Sequence, residues 1–174
     1  MKSVIGILAT AFLFCGNASY AQDGFSSVRC GSDVAKALIG RTMSNERVAV
    51  LEERHKDLGL HDLGGSEISD HLFLGSWQIC GDEYALLEAK NVVRDVLKFP
   101  KHSKDSPAFI GSCQRNGKEI SGTIIAILRN EKGGESLSAT AAWKIDEQGT
   151  KFVELRTEGL RCPRDGVITV DGGR

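Results

Sequence analysis

Residues 108–129 read AFIGSCQRNGKEISGTIIAILR, and no other stretch of the chain constrains its architecture as strongly. At the centre, Asn116-Gly117 supplies two residues that tolerate positive φ, which a tight primed turn between antiparallel strands requires. The flanks, Ala108 to Arg115 and Lys118 to Arg129, are then the two arms of a hairpin. Thr123 to Leu128 in the second arm is apolar on both faces, as a central strand is. A chain organised around such a hairpin is built mainly of antiparallel sheet.

Working outward, the period of two continues on both sides. After Gly133-Gly134, Leu137, Ala139, Ala141, Trp143 and Ile145 share one face. Ser138, Thr140, Ala142, Lys144 and Asp146 share the other, which predicts a strand with one covered and one wet side. Upstream, Phe73, Gly75, Trp77 and Ile79 alternate with Leu72, Leu74, Ser76, Gln78 and Cys80, ahead of a turn at Gly81-Asp82. Residues 83–99 fit a helix through Leu86, Ala89, Val93, Val96 and Leu97. They fit a hairpin through Val92-Val93 and the polar pair Lys90-Asn91, and the turn before them favours strands. Two short helices are expected nearer the start. One is capped by Ser32-Asp33 and stopped at Gly40; the other starts at Ser44 or Asn45, pairs Glu52 with Lys56 and stops at Gly59. The expected fold is an α+β domain in which two N-terminal helices pack on one antiparallel meander.

Residues 1–21 carry a positive start at Lys2, an uncharged apolar run from Val4 to Cys15, and small residues at Ser19 and Ala21. This is the pattern of a secretory signal cleaved after Ala21. The run is shorter than the roughly 20 residues a bilayer crossing needs, so no membrane insertion is expected after cleavage. Residues 22–174 form the expected single domain, with 22–29 and 171–174 loose. Removing 21 residues with one lysine and no acid leaves 21 basic against 23 acidic groups. A net charge of −2 provides no electrostatic reason to expect a nucleic acid. The expected location is the periplasm or the extracellular space.

Four cysteines remain after the signal: Cys30, Cys80, Cys113 and Cys162. An even count in an oxidising compartment favours two disulfides over a metal site, because no two cysteines lie close enough for a zinc or redox motif. Three pairings are open. Cys30 with Cys80 and Cys113 with Cys162 is favoured, since it staples the helical start and the chain end to the sheet. Each bridge closes a loop of about 50 residues, worth roughly 3 to 4 kcal/mol in a chain-entropy account.

The search for chemistry turns on four histidines. His55 lies on the apolar stripe of the second helix and reads as a buried, satisfied ring. His61-Asp62 falls in a Gly-rich loop, and Asp70-His71 at a strand start. His102, with Ser103, Asp105 and Ser106, crowds the side chains of a serine triad into one loop. Real triads are assembled from distant segments, so a solvated loop is the better reading. No metal, calcium or phosphate-loop pattern is present, and no cofactor is expected. Trp77 and Trp143 read as core. Lys98, Lys101, His102 and Lys104 surround Phe99 and Pro100; they offer either a basic surface with an aromatic anchor to an acidic partner or simply a solvated loop, and the solvated loop is the better reading. The expected function is a non-catalytic exported binding protein that engages a protein partner in the cell envelope, as an inhibitor, immunity-type or accessory factor. The alternatives are a small hydrolase using His102 or His61, and a carrier with a small-ligand pocket between helices and sheet. Oligomeric state is left unassigned.

Overall fold

The computed structural model describes residues 23–146 and 148–168. The signal segment, Gln22 and the expected loose end at 171–174 lie outside the described residues. Two antiparallel sheets replace the single meander expected. The first is formed by β1 (His61–Ser69), β2 (Leu72–Ile79), β3 (Asp82–Ala89) and β4 (Val92–Lys98), in that order. Residues 83–99 are therefore a hairpin, turning at Lys90-Asn91 with φ of 52° and 60°. The periodicity of β3 was ambiguous because the strand is covered on both sides: Tyr84, Ala85, Leu86 and Leu87 are all buried, as in a central strand.

The second sheet contains β5 (Ala108–Gly111), β6 (Gln114–Arg115), β7 (Lys118–Glu119), β8 (Ile124–Leu128) and β9 (Ser136–Ile145). It is completed by β11 (Leu160–Pro163) and β12 (Val167–Ile168), while β10 (Phe152–Glu154) adds to β9. The turn that anchored the sequence reading is present, with Asn116 at φ 51° and Gly117 at φ 77°. β5 pairs with β8 at the base of this hairpin and β6 with β7 at its tip. From β8 the sheet runs through β9 and β11 back to β6, so it curls round a core of Phe109, Ile124, Leu128, Leu137 and Leu160.

β9 does not have one wet face. Its register with β8 slips between Ile127 and Leu128, so that Ile127 faces Ala141 and Leu128 faces Ala139. Thr140 is the extra residue of a bulge, which exchanges the two faces. Leu137, Ala139 and Ala142 consequently enter one core, and Ala141 and Trp143 enter the layer between the sheets. That layer is filled by Leu74, Ala85, Phe99, Ile125 and Ile127.

The other side of the first sheet is covered by the N-terminal segment. The helices are only α1 (Val34–Leu38) and α2 (Val48–Arg54), and they sit toward opposite edges, α1 against β4 and α2 against β1. Asp33 caps α1 by accepting from Lys36 N, whereas α2 starts later than expected and lacks a side-chain cap. Residues 23–29, expected to be loose, supply the centre of this layer. Phe25 and Val28 have no exposed surface, and the Phe25 ring meets Trp77 edge-on at 4.9 Å. Cys30 bonds Cys80 and Cys113 bonds Cys162. The first bridge fixes this segment to the β2–β3 turn and the second fixes β11 to the long hairpin.

Candidate functional site

The histidines occupy four different environments. His55 is buried, with Nε2 2.9 Å from Asp23 Oδ1. Arg54 reaches the other Asp23 oxygen at 2.8 Å and grips Glu46 with both terminal nitrogens. Burial works to raise the Asp23 carboxyl, but hydrogen bonds from His55, Arg54 and Ser26 outweigh it and hold the group below its ordinary value. This network anchors the N-terminal segment. His61 stands on the edge strand β1 rather than in a loop. Its Nδ1 lies 2.8 Å from Glu52 Oε1, which also accepts from Asp62 N. Glu52 is thus turned away from Lys56, which pairs with Glu53 instead. His71 is exposed in the two-residue turn between β1 and β2.

His102 packs against the Phe99 ring, with Nε2 3.4 Å from Glu83 Oε2 and Nδ1 3.4 Å from the Pro100 carbonyl oxygen. Burial raises the Glu83 carboxyl, and the nearby His102 charge opposes that shift. The adjacent serine does not complete a triad. Ser103 Oγ accepts from Asp105 N and Ser106 N and is turned into its own loop. Among the described residues, neither His102 nor His61 has both a carboxylate and a hydroxyl within hydrogen-bond reach.

The basic loop is rearranged relative to expectation. Phe99 is 5 % exposed and belongs to the layer between the sheets, so it is not a surface anchor. The packing of a second sheet, invisible in the local pattern, buries it. Lys98 pairs with Asp82 at 2.6 Å and lies over the Tyr84 ring. Lys101 and Lys104 remain exposed. Lys104 and His102 instead border a cavity of about 580 Å³, whose other walls include Pro107, Asn130, Leu137, Arg164 and Val167.

The cavity wall is held by hydrogen bonds. Asn130 donates from Nδ2 to the Lys104 carbonyl, and its Oδ1 accepts from Arg164 Nη1. Arg164 also donates to the carbonyls of Glu131, Gly133 and Gly134. Every acceptor is neutral, and among the described residues no carboxylate forms an ion pair with Arg164. The result is a concave surface with apolar and cationic walls. Sequence reading found His102 and Lys104 through local clustering. It missed Asn130, Leu137, Arg164 and Val167 because three further chain segments deliver them. Among the described residues, no three His, Cys, Asp or Glu side chains converge as a metal site, and no helix is long and apolar enough to cross a membrane.

Comparison of the chain with protein-family models, with curated proteins and with solved structures finds no match.

Proposed function

We propose that this chain is an exported, non-catalytic binding protein that engages a protein partner in the cell envelope. Its contact is the cavity beside residues 101–107, and the partner presents an acidic segment with an apolar side chain. The observation that carries this reading is the uncompensated charge of Arg164 beside Lys104, set over an apolar floor of Pro107, Leu137 and Val167. Two cations in a concave, partly apolar site favour a carboxylate and steer its approach. The wall is braced before any partner arrives, which lowers the ordering cost of association. The layer between the helices and the first sheet and the layer beneath Trp143 and Ile125 are both packed with side chains, so the observations favour this surface over a carrier pocket in either. No specific observation favours the hydrolase alternative.

The test is capture from envelope extracts by the tagged protein, compared with a Lys101→Glu/Lys104→Glu variant and with Lys36→Glu on the exposed side of α1. The double variant should retain at least tenfold less of the captured protein, while the α1 variant should retain it fully. Equal capture by all three proteins would refute the assignment of the contact to this cavity.

A further inference from the structure

A second site lies on the first sheet, beyond the part that the N-terminal layer covers, and it has the opposite charge. Glu88 on β3 is only 8 % exposed. Among the described residues its carboxylate has neither a hydrogen-bond partner nor an ion-pair partner, and burial raises it. It lies between Phe73 on β2 and Val93 on β4 in register. The side chain borders a cavity of about 280 Å³ shared with Glu67, Asp70, His71, Phe73 and Lys90.

Two glycines make room for the Phe73 ring beside this carboxylate. A Cβ at Gly75 would stand 3.4 Å from both Glu88 Oε1 and Trp77 Nε1, and one at Gly65 would collide with the Phe73 ring. The phenyl ring therefore lies across Gly65 and Gly75 beside the carboxylate, with 43 % of Phe73 still exposed. Three carboxylates face Lys90 and His71 here, and Lys90 forms no ion pair with any of them. The carboxylate has no protein partner but is not sealed from its surroundings, so it opens into the cavity, where a ligand can reach it.

We propose that the Glu88 cavity binds an organic cation, an ammonium or guanidinium head on a short apolar stem, with the charge on Glu88 and the stem or head against the Phe73 ring. The inference goes beyond the basic cavity and does not depend on it. The volume lies just below the range of about 300 to 1,000 Å³ typical of drug-sized sites, which suits a head group rather than a whole large ligand. The aromatic face beside a carboxylate is the arrangement that attracts such cations. A metal ion fits less well, because the acidic side chains do not converge on one point.

Binding is coupled to protons. Burial pushes the Glu88 carboxyl up to about 7, so its ionised fraction grows about tenfold from pH 6 to pH 8. Glu67, Asp70, His71 and Lys90 are the titratable groups that face it.

The experiment uses ¹⁵N-labelled protein purified from cells that express the whole chain, titrated with butylammonium and with agmatine at pH 6 and pH 8. Butanol serves as the uncharged control. Saturable shifts at the Gly75 and Glu88 amides and the Trp77 indole N–H are expected, about tenfold tighter at pH 8. Glu88→Gln should bind at least tenfold more weakly at pH 8. Equal binding of butanol, wild-type affinity in Glu88→Gln, or the same affinity at both pH values would overturn the proposal. The last comparison needs no variant, so a folding failure does not obscure it. Titration with an acetylated, amidated Ala-Lys-Ala peptide identifies the source. Binding at least as tight as butylammonium assigns the site to a partner's side chain, and weaker binding assigns it to a free amine.

Discussion

Replacing Phe25 by alanine tests whether the N-terminal segment belongs to the core. The ring has no exposed surface and lies against Trp77 and His55. Burying such a side chain contributes roughly 1.5 to 3 kcal/mol. Its removal also leaves a void, at about 24 cal/mol for each Å³ that the walls fail to reclaim. Collapse is restricted here, because His55 is tied to Asp23 and Trp77 is fixed in a paired strand. A residual void of about 60 Å³ adds about 1.4 kcal/mol, for a total near 3 to 4.5 kcal/mol. Natural domains have only about 5 to 15 kcal/mol in all. Equilibrium urea unfolding followed by tryptophan emission is the assay, since Trp77 touches the altered site. With a slope near 2 kcal/mol per molar urea, the midpoint should fall by about 2 M. A fall under about 0.5 M at unchanged slope would refute the reasoning, because residues 23–29 would then contribute little to the folded state.

Two further perturbations probe other parts of the fold. Gly117→Val places a β-branched residue at φ 77°, which costs roughly 1 to 2 kcal/mol and should lower Tm by about 3 to 6 °C; an unchanged Tm in a thermal scan contradicts the strained turn. Glu88 is raised by burial from its ordinary 4.5 to about 7, so between those values the folded form keeps a proton that the unfolded chain releases. Stability therefore falls as pH rises through that window, and the deficit is complete above about 7. Glu88→Gln should gain on the wild type by up to about 3 kcal/mol between pH 4.5 and pH 8, and a pH-independent difference in urea midpoints would contradict this.

What the sequence disclosed was what local chemistry decides. Asn116-Gly117 announced its turn through the φ angles those residues tolerate, and Asp33 announced its helix through the cap it provides. β1 was unreadable because its register slips at Leu63 and again at Ile68, and Gly64-Gly65 resembles a loop. Bulges on an exposed edge strand also discourage pairing with another chain, so the feature that hid the strand has a use. The exchange of faces along β9 was hidden for a different reason, since the Thr140 bulge exists only in relation to β8. The candidate sites divide in the same way. His102 and Lys104 were found as neighbours in sequence, while Phe99 was misplaced because its burial depends on strands read elsewhere.

Two buried carboxylates show why Glu88 stands apart. Asp23 and Glu88 are 5 % and 8 % exposed, so both bear the cost that burial imposes on a charge. Asp23 receives His55, Arg54 and the Ser26 amide and hydroxyl, and it ends below its ordinary value. Glu88 receives nothing among the described residues and ends well above. A chain that recruits donors from two separate segments for one acid has the means to satisfy a structural carboxylate. An acid with no protein donor, reachable from a cavity and set beside an aromatic ring, is better explained by what enters the cavity than by what holds the fold.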